Sequence, residues 1–266
     1  MKTGAVVGWV PVTRRALTRS DLIWFYLVPA ITVMALLVTV LFTIDREFVS
    51  TLNFSNIYIY RYALLQGLYN TLLITFLSLL LGISIGLSLA CLSYYPSRPL
   101  RWFILAYVEI MRDVPLVVAL FWIHFALPLI TGYSTSVFQS GFIAMALQSS
   151  AYLSDVARAG IQAIPAGQWD AADALGLTTM SKWADIILPQ TLKIMVPPLA
   201  NVSIGYFKAS SALALLSVGE LMTVGARISS YSFKPIETLT TVGIIYLGLG
   251  YMLSSVTHKL ERLVKT

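Results

Sequence analysis

The residues whose types and spacing fit a defined chemical task gather between Ile164 and Gln190, where the chain reads IPAGQWDAADALGLTTMSKWADIILPQ. Two carboxylates, Asp170 and Asp173, stand among alanines, a composition that offers charge partners to another protein. No catalytic constellation accompanies them. His124 and His258 are far apart, no H-E-x-x-H or G-x-S-x-G occurs, and no metal-ligand grouping is read. The chain also lacks a G-x-x-x-x-G-K-[ST] phosphate loop and any Gly-Lys pair, so motion driven by ATP would need an ATPase on another chain. An enzyme is not expected, nor a cofactor held by this chain.

The local pattern predicts helix–turn–helix. Pro165 suits a first helical turn, and Asp170 and Asp173 favour a positive helix end. Ala171, Ala172, Ala174 and Leu175 are good helix formers. Gly176 can take the left-handed conformation that ends a helix. Ser181 can cap a second short helix through Ile187, which Pro189 terminates. With alanines on the exposed piece, another protein's surface can approach the backbone closely, making a docking knob. An amphipathic loop lying on a membrane surface fits the same residues, and both readings stand at this point.

The elements that carry this segment are apolar. Of 266 residues 58% are hydrophobic and only 11% charged, with mean hydropathy +0.79, against about a quarter charged in soluble domains. So little polar surface requires lipid as the solvent. Six apolar segments appear: Leu22–Ile44, Tyr62–Tyr94, Trp102–Ile130, Ser136–Ile164, Leu192–Leu216 and Ile236–Val256. The first spans roughly 35 Å as a helix, too long for a signal-peptide core, and no small-residue cleavage site follows it. Pro115 predicts a bend near Val114 in the third. The lone cysteine, Cys91, lies in an apolar run and permits no intrachain disulfide.

Charge sets the orientation. With the N-terminus inside, Lys2, Arg14, Arg15, Arg19, Arg98, Arg101, Arg158, Lys182, Lys193, Lys259, Arg262 and Lys265 face the cytoplasm. Only Arg46, Arg61, Arg227 and Lys234 face outward. Both termini and the stretch around residue 175 are therefore expected to be cytoplasmic. The net charge of +6 follows this alternation rather than a stripe, so no nucleic-acid partner is expected.

The 164–190 stretch resembles the coupling loop of ABC-type importer permeases. That loop has Glu-Ala-Ala, three residues, Gly, nine residues, Ile, one residue, then Leu-Pro. Here Asp170-Ala171-Ala172, Gly176, Ile186, Leu188 and Pro189 stand at those spacings, with Asp170 in place of the glutamate. The resemblance extends to the polar amino acid branch of that family. Gly67-Leu68-Tyr69-Asn70-Thr71-Leu72 looks like its start-of-core motif. Arg112-Asp113-Val114-Pro115-Leu116 is similar to its Arg-Gly-Thr-Pro-Leu, with two replacements. Ala151-Tyr152-Leu153-Ser154-Asp155, Ile164-Pro165-Ala166-Gly167-Gln168, Asn201 and Lys208-Ala209-Ser210 also fit.

The resemblance implies an all-α polytopic membrane protein of about six transmembrane helices, both termini cytoplasmic. Residues 22–44 would be an extra N-terminal helix, and 62–257 the five-helix permease core with its coupling loop at 165–190. Residues 1–21 and 258–266 would be cytoplasmic tails. It further implies a bacterial inner-membrane importer subunit for glutamate, glutamine, aspartate or basic amino acids. Its partners would be an ABC ATPase binding ATP and Mg, a second permease, a periplasmic or surface-anchored binding protein, and lipid. An ion-coupled secondary transporter is one rival, although no internal repeat is visible. A non-transport membrane scaffold is another, separated by whether an ATPase co-purifies.

Charges inside spans are costly in lipid and usually face a protein interior or water. Asn201, Gly205 and Lys208 share a helical face that, with Ser210, is a candidate border of the pathway or of the sister permease. Lys208 and Glu220 could equally form a structural ion pair. Glu109, Arg112 and Asp113 read as a mutually neutralising cluster, and His124 as a packed residue with one hydrogen bond. Gly82 and Gly86 have the G-x-x-x-G spacing of a close helix contact.

Overall fold

The structure, a computed structural model, describes residues 19–43 and 45–265. Most of the predicted 1–21 tail, with Lys2, Arg14 and Arg15, lies outside the described residues, as do the side chains of Arg19, His258, Arg262 and Lys265. Every regular element among the described residues is helical. The chain divides into a unit ending at Leu52 and a larger one, Asn53–Thr266.

The first unit holds α1 (Arg19–Thr43) and α2 (Arg46–Thr51). In α1 the side chains of Met34, Leu36 and Leu37 are largely exposed, as on a helix solvated by lipid. The hydroxyls of Thr32, Thr39 and Thr43 donate to carbonyls four residues back, at 2.8–2.9 Å, so the polar groups are satisfied within the helix. Asp45 begins α2 by accepting from the amides of Glu47 and Phe48.

In the second unit a 3-10 turn, Phe54–Tyr60, leads into α3 (Arg61–Leu92). Then come α4 (Arg98–Asp113) and α5 (Leu116–Thr131), bent by 105° from each other. The bend falls at Val114-Pro115, where the sequence placed it. It is sharp enough to make two helices rather than one curved segment, because the orphan carbonyl of Val114 finds another partner. Gln148 Nε2 donates to it at 2.6 Å. The central helix α6 (Val137–Gln162) starts with a reciprocal Ser136–Gln139 capping box.

After α6 come α7 (Ala166–Ala174), α8 (Thr179–Leu216), α9 (Leu221–Ser232) and α10 (Pro235–Lys265). By length and hydropathy α3, α8 and the Pro235–Thr257 part of α10 can cross a membrane, with the α4–α5 pair a fourth candidate. Helix α9 has no counterpart among the predicted segments.

The core forms around α6, whose Met145, Ala151, Leu153, Ala157 and Ile161 are buried. Its small residues let α3 approach to backbone contact. A Cβ placed on Gly86 would stand 2.6 Å from Ser150 O and 2.8 Å from Ser154 N. The G-x-x-x-G spacing is therefore the seam of this helix pair, stabilised by dispersion where lipid offers no hydrophobic drive. Ile74, Leu120, Met145, Leu153 and Leu213 complete the largest apolar cluster.

The separate sequence motifs meet in space. Asn70 Nδ2 donates to Gly219 O at 2.6 Å, and the Leu221 amide donates to Thr71 Oγ1 at 3.0 Å, so α3 holds the turn between α8 and α9. Arg112 pairs with Asp155 across α4 and α6, and Tyr152 OH donates to Arg112 O at 3.3 Å. This corrects the expected Glu109–Arg112–Asp113 cluster. Arg112 instead neutralises Asp155 on another helix, a carboxylate that Arg158 also approaches at 3.8 Å. His124 does pack, with Nδ1 2.9 Å from Ser140 Oγ.

Candidate coupling site

Helix α7 begins after Pro165 and ends at a left-handed Gly176, φ +66°. A Cβ there would meet nothing within 4 Å, so the glycine serves backbone conformation and not packing. The expected charge placement is corrected. Neither aspartate lies in the first turn of α7. Asp170 is exposed in mid-helix, and Asp173, in the last turn, pairs with Lys182 at the start of α8. This ion pair closes the turn that Gly176 opens.

The second half of the segment also departs from expectation. Thr178, not Ser181, caps it by accepting from the Ser181 amide at 3.2 Å. Pro189 does not end a short helix: α8 runs on from Thr179 to Leu216. The reason is a π-helical stretch, Lys182–Ile187, immediately before the proline. There the Leu188 amide bonds back to Trp183 O, and this wider turn absorbs the donor that Pro189 lacks.

One side of the segment is anchored. Ala172 is fully buried, which corrects the picture of both motif alanines facing a partner. Ile187 packs with Ala90, Ala157, Ile161 and Met195, and Trp169, Trp183 and Ile186 lean on this cluster. Trp169 meets Trp183 edge-on at 5.6 Å, and Trp183 reaches Tyr94 at 5.7 Å. Gln190 Nε2 lies 3.3 Å from Gln168 Oε1. Each buried large apolar side chain stabilises the anchor by about 1.5–3 kcal/mol.

The other side is open. Ala171 and Pro189 are exposed, Leu188 half-buried, and Leu175 and Met180 stand out at 75% and 77% exposure. In the sequence Leu175 reads as a helix former, and Met180 is not singled out. Their signal was present, as large apolar residues flanking a Gly-centred turn in a polar stretch. Two bare hydrophobes on a rigid, alanine-lined tip form a knob.

Farther along α8, Asn201, Gly205 and Lys208 are all exposed, and Gly205 has open space where a Cβ would be. Ser210 does not join them. It is buried, its hydroxyl donating to Phe207 O at 2.7 Å. Nor do Lys208 and Glu220 pair. The Glu220 carboxylate, fully buried, caps α9 by accepting from the amides of Met222 and Thr223, from Thr223 Oγ1 and from Tyr246 OH, all within 2.9 Å. With its lone pairs occupied it needs no cation. Lys208 instead borders a cleft of about 480 Å³ with Ser211, Met222, Leu239, Gly243 and Tyr246. Among the described residues no group of three or more His, Cys, Asp or Glu side chains could hold a metal.

Comparison with known proteins decides the family. The profile described as "Binding-protein-dependent transport system inner membrane component" matches residues 78–266. The chain belongs to this family. The probable amino-acid ABC transporter permease YckA of Bacillus subtilis is 34% identical over 198 residues, covering 74% of this chain and 87% of YckA. The arginine transport system permease ArtQ of the same organism is 32% identical over 203 residues, covering 76% and 93%. A crystal structure of an amino acid ABC transporter with histidines superposes with TM-score 0.75 at 30% identity, over 80% of this chain and 99% of that one. The MetNI methionine transporter shares the fold at TM-score 0.67 and 22% identity. As a member of this family, this chain is the permease subunit of an ABC importer, and ATP hydrolysis lies in a separate subunit.

Proposed function

We propose that this permease subunit imports polar amino acids and that the segment from Asp170 to Pro189 transmits ATPase motion to the membrane helices. The observation that carries the reading is the two-sided build of the segment. Leu175 and Met180 project from a tip whose base is locked to α6 and α8 through Ile187, Trp169 and Trp183. A partner gripping that tip moves a rigid body, because α8 is continuous from Thr179 to Leu216. ATPase closure then favours one of two arrangements of the helices.

In this reading α1, α3, the bent α4–α5 pair, α6, α8 and α10 make the six crossings, with both termini and α7 in the cytoplasm of a bacterial inner membrane. Two permeases face one another across a pathway bordered by Asn201, Gly205 and Lys208, and a binding protein delivers substrate from outside. The amino-acid permeases among the relatives support the substrate class. The test is reconstitution of this chain with its ATPase and binding protein in vesicles. ATP-dependent uptake of a labelled polar amino acid is expected. Uptake without ATP, or no uptake of any polar amino acid, would overturn the proposal.

A further inference from the structure

A second site lies beside the coupling segment. The turn after α3, the start of α4 and the end of α6 enclose a cleft of about 350 Å³, lined by Ser93, Tyr94, Arg98, Arg101, Arg158 and Gln162. Three arginines line it, Arg98 and Arg101 exposed, with few carboxylates to neutralise them. Among the described residues Arg98 and Arg101 form no ion pair. Arg158 reaches only Asp155, at 3.8 Å, and the other oxygen of Asp155 is taken by Arg112. The first turn of α4 adds positive charge, since Ser97 provides no side-chain cap for its free amides. Three cationic side chains along one cleft suit an anion, and the fork of a guanidinium matches phosphate oxygens two at a time.

We propose that this cleft binds the phosphate of an anionic phospholipid. Lipid is favoured over free phosphate because the same stretch of α4 carries Leu100, Trp102 and Phe103 on the surface, the latter two 65% exposed. These supply an apolar path for acyl chains directly beside the charged cleft, and Trp is a residue of the membrane interface. Tyr94, in the cleft wall, touches Trp183, which puts the cleft at the level of the coupling segment. Only the choice of leaflet, the cytoplasmic one, rests on the orientation proposed above.

The test titrates the purified full-length chain in detergent with phosphatidylglycerol, phosphatidylcholine and inorganic phosphate, reading bound lipid per protomer by native mass spectrometry. Phosphatidylglycerol should be retained over phosphatidylcholine. Each arginine removed in Arg98→Gln and Arg101→Gln should weaken it about fivefold, the double variant about 25-fold. Arg98→Lys with Arg101→Lys keeps the charge but loses the fork, so it should bind more weakly than the unsubstituted chain and more tightly than the double glutamine variant. Unchanged retention in the double glutamine variant would overturn the proposal, as would equal affinity for phosphatidylcholine. Displacement of the lipid by inorganic phosphate at similar concentration would assign the cleft to a soluble anion. Loss of ATPase association with lipid binding intact would assign it to that partner. Either result refutes the lipid site, and neither bears on whether the chain imports amino acids.

Discussion

Replacing Gly86 by alanine should loosen the seam between α3 and α6. The added methyl would stand 2.6 Å from Ser150 O, 2.8 Å from Ser154 N and 3.0 Å from Leu153 C, all backbone atoms that no rotamer change can move. Relief requires the two helices to separate, so the cost falls in the upper part of the overpacking range, about 2–3 kcal/mol. For a chain of this size that is a fall in melting temperature of roughly 4–12 °C. Gly243→Ala is the matched control, since a Cβ there meets nothing within 4 Å on helix α10. It should be neutral or raise stability by about 0.5–1 kcal/mol, the usual gain for alanine in a helix interior. Thermal unfolding of the purified permease in detergent, followed by far-UV circular dichroism, reads both. A Gly86→Ala protein melting at or above the unsubstituted temperature would refute the close-contact account.

Glu220→Ala removes the acceptor for two amides, one threonine hydroxyl and Tyr246 OH in a site with no exposure, and should cost about 3 kcal/mol. Thermal melting measures that loss, and Lys208→Ala should not reproduce it because the two residues form no pair. Lys208→Gln should instead lower the uptake rate in proteoliposomes while leaving the melting temperature within about 1 °C, as for an exposed side chain away from the core. An unchanged uptake rate would remove Lys208 from the pathway. Ala172→Leu should lower stability by about 1–3 kcal/mol, whereas Ala171→Leu should leave it unchanged, since only residue 172 is buried.

The helical class, the apolar segments, the break at Pro115 and the left-handed Gly176 were legible because each follows from local chemistry: hydropathy, a missing amide hydrogen, a missing Cβ. The Gly82–Gly86 contact was legible as a spacing, but its partner was not, since nothing in α3 names Ser150. What escaped the sequence was long-range pairing. Arg112 has acidic neighbours three residues before and one after it, yet its partner is Asp155 on another helix. Glu220 invites pairing with Lys208, yet the local amides of its own helix start satisfy it first. Pro189 reads as a stop, and only the π-helical turn ahead of it lets α8 continue. In the proposed coupling segment the motif spacing singles out Asp170 to Pro189. The division into a buried base with Ala172 and an exposed tip with Leu175 and Met180 required the fold, because alternate faces of a nine-residue helix look alike in composition.

The central claim is that a partner ATPase grips this tip. Leu175→Asp with Met180→Asp alters two side chains that are about three-quarters exposed and make no part of the core. If docking buries them, their loss is worth about 1.5–3 kcal/mol each, roughly a hundredfold or more in affinity together. The most direct measurement is the dissociation constant between the purified ATPase and this permease in nanodiscs, with and without the two substitutions. The account predicts association weakened about a hundredfold or more with the permease melting temperature preserved. An unchanged dissociation constant would contradict it.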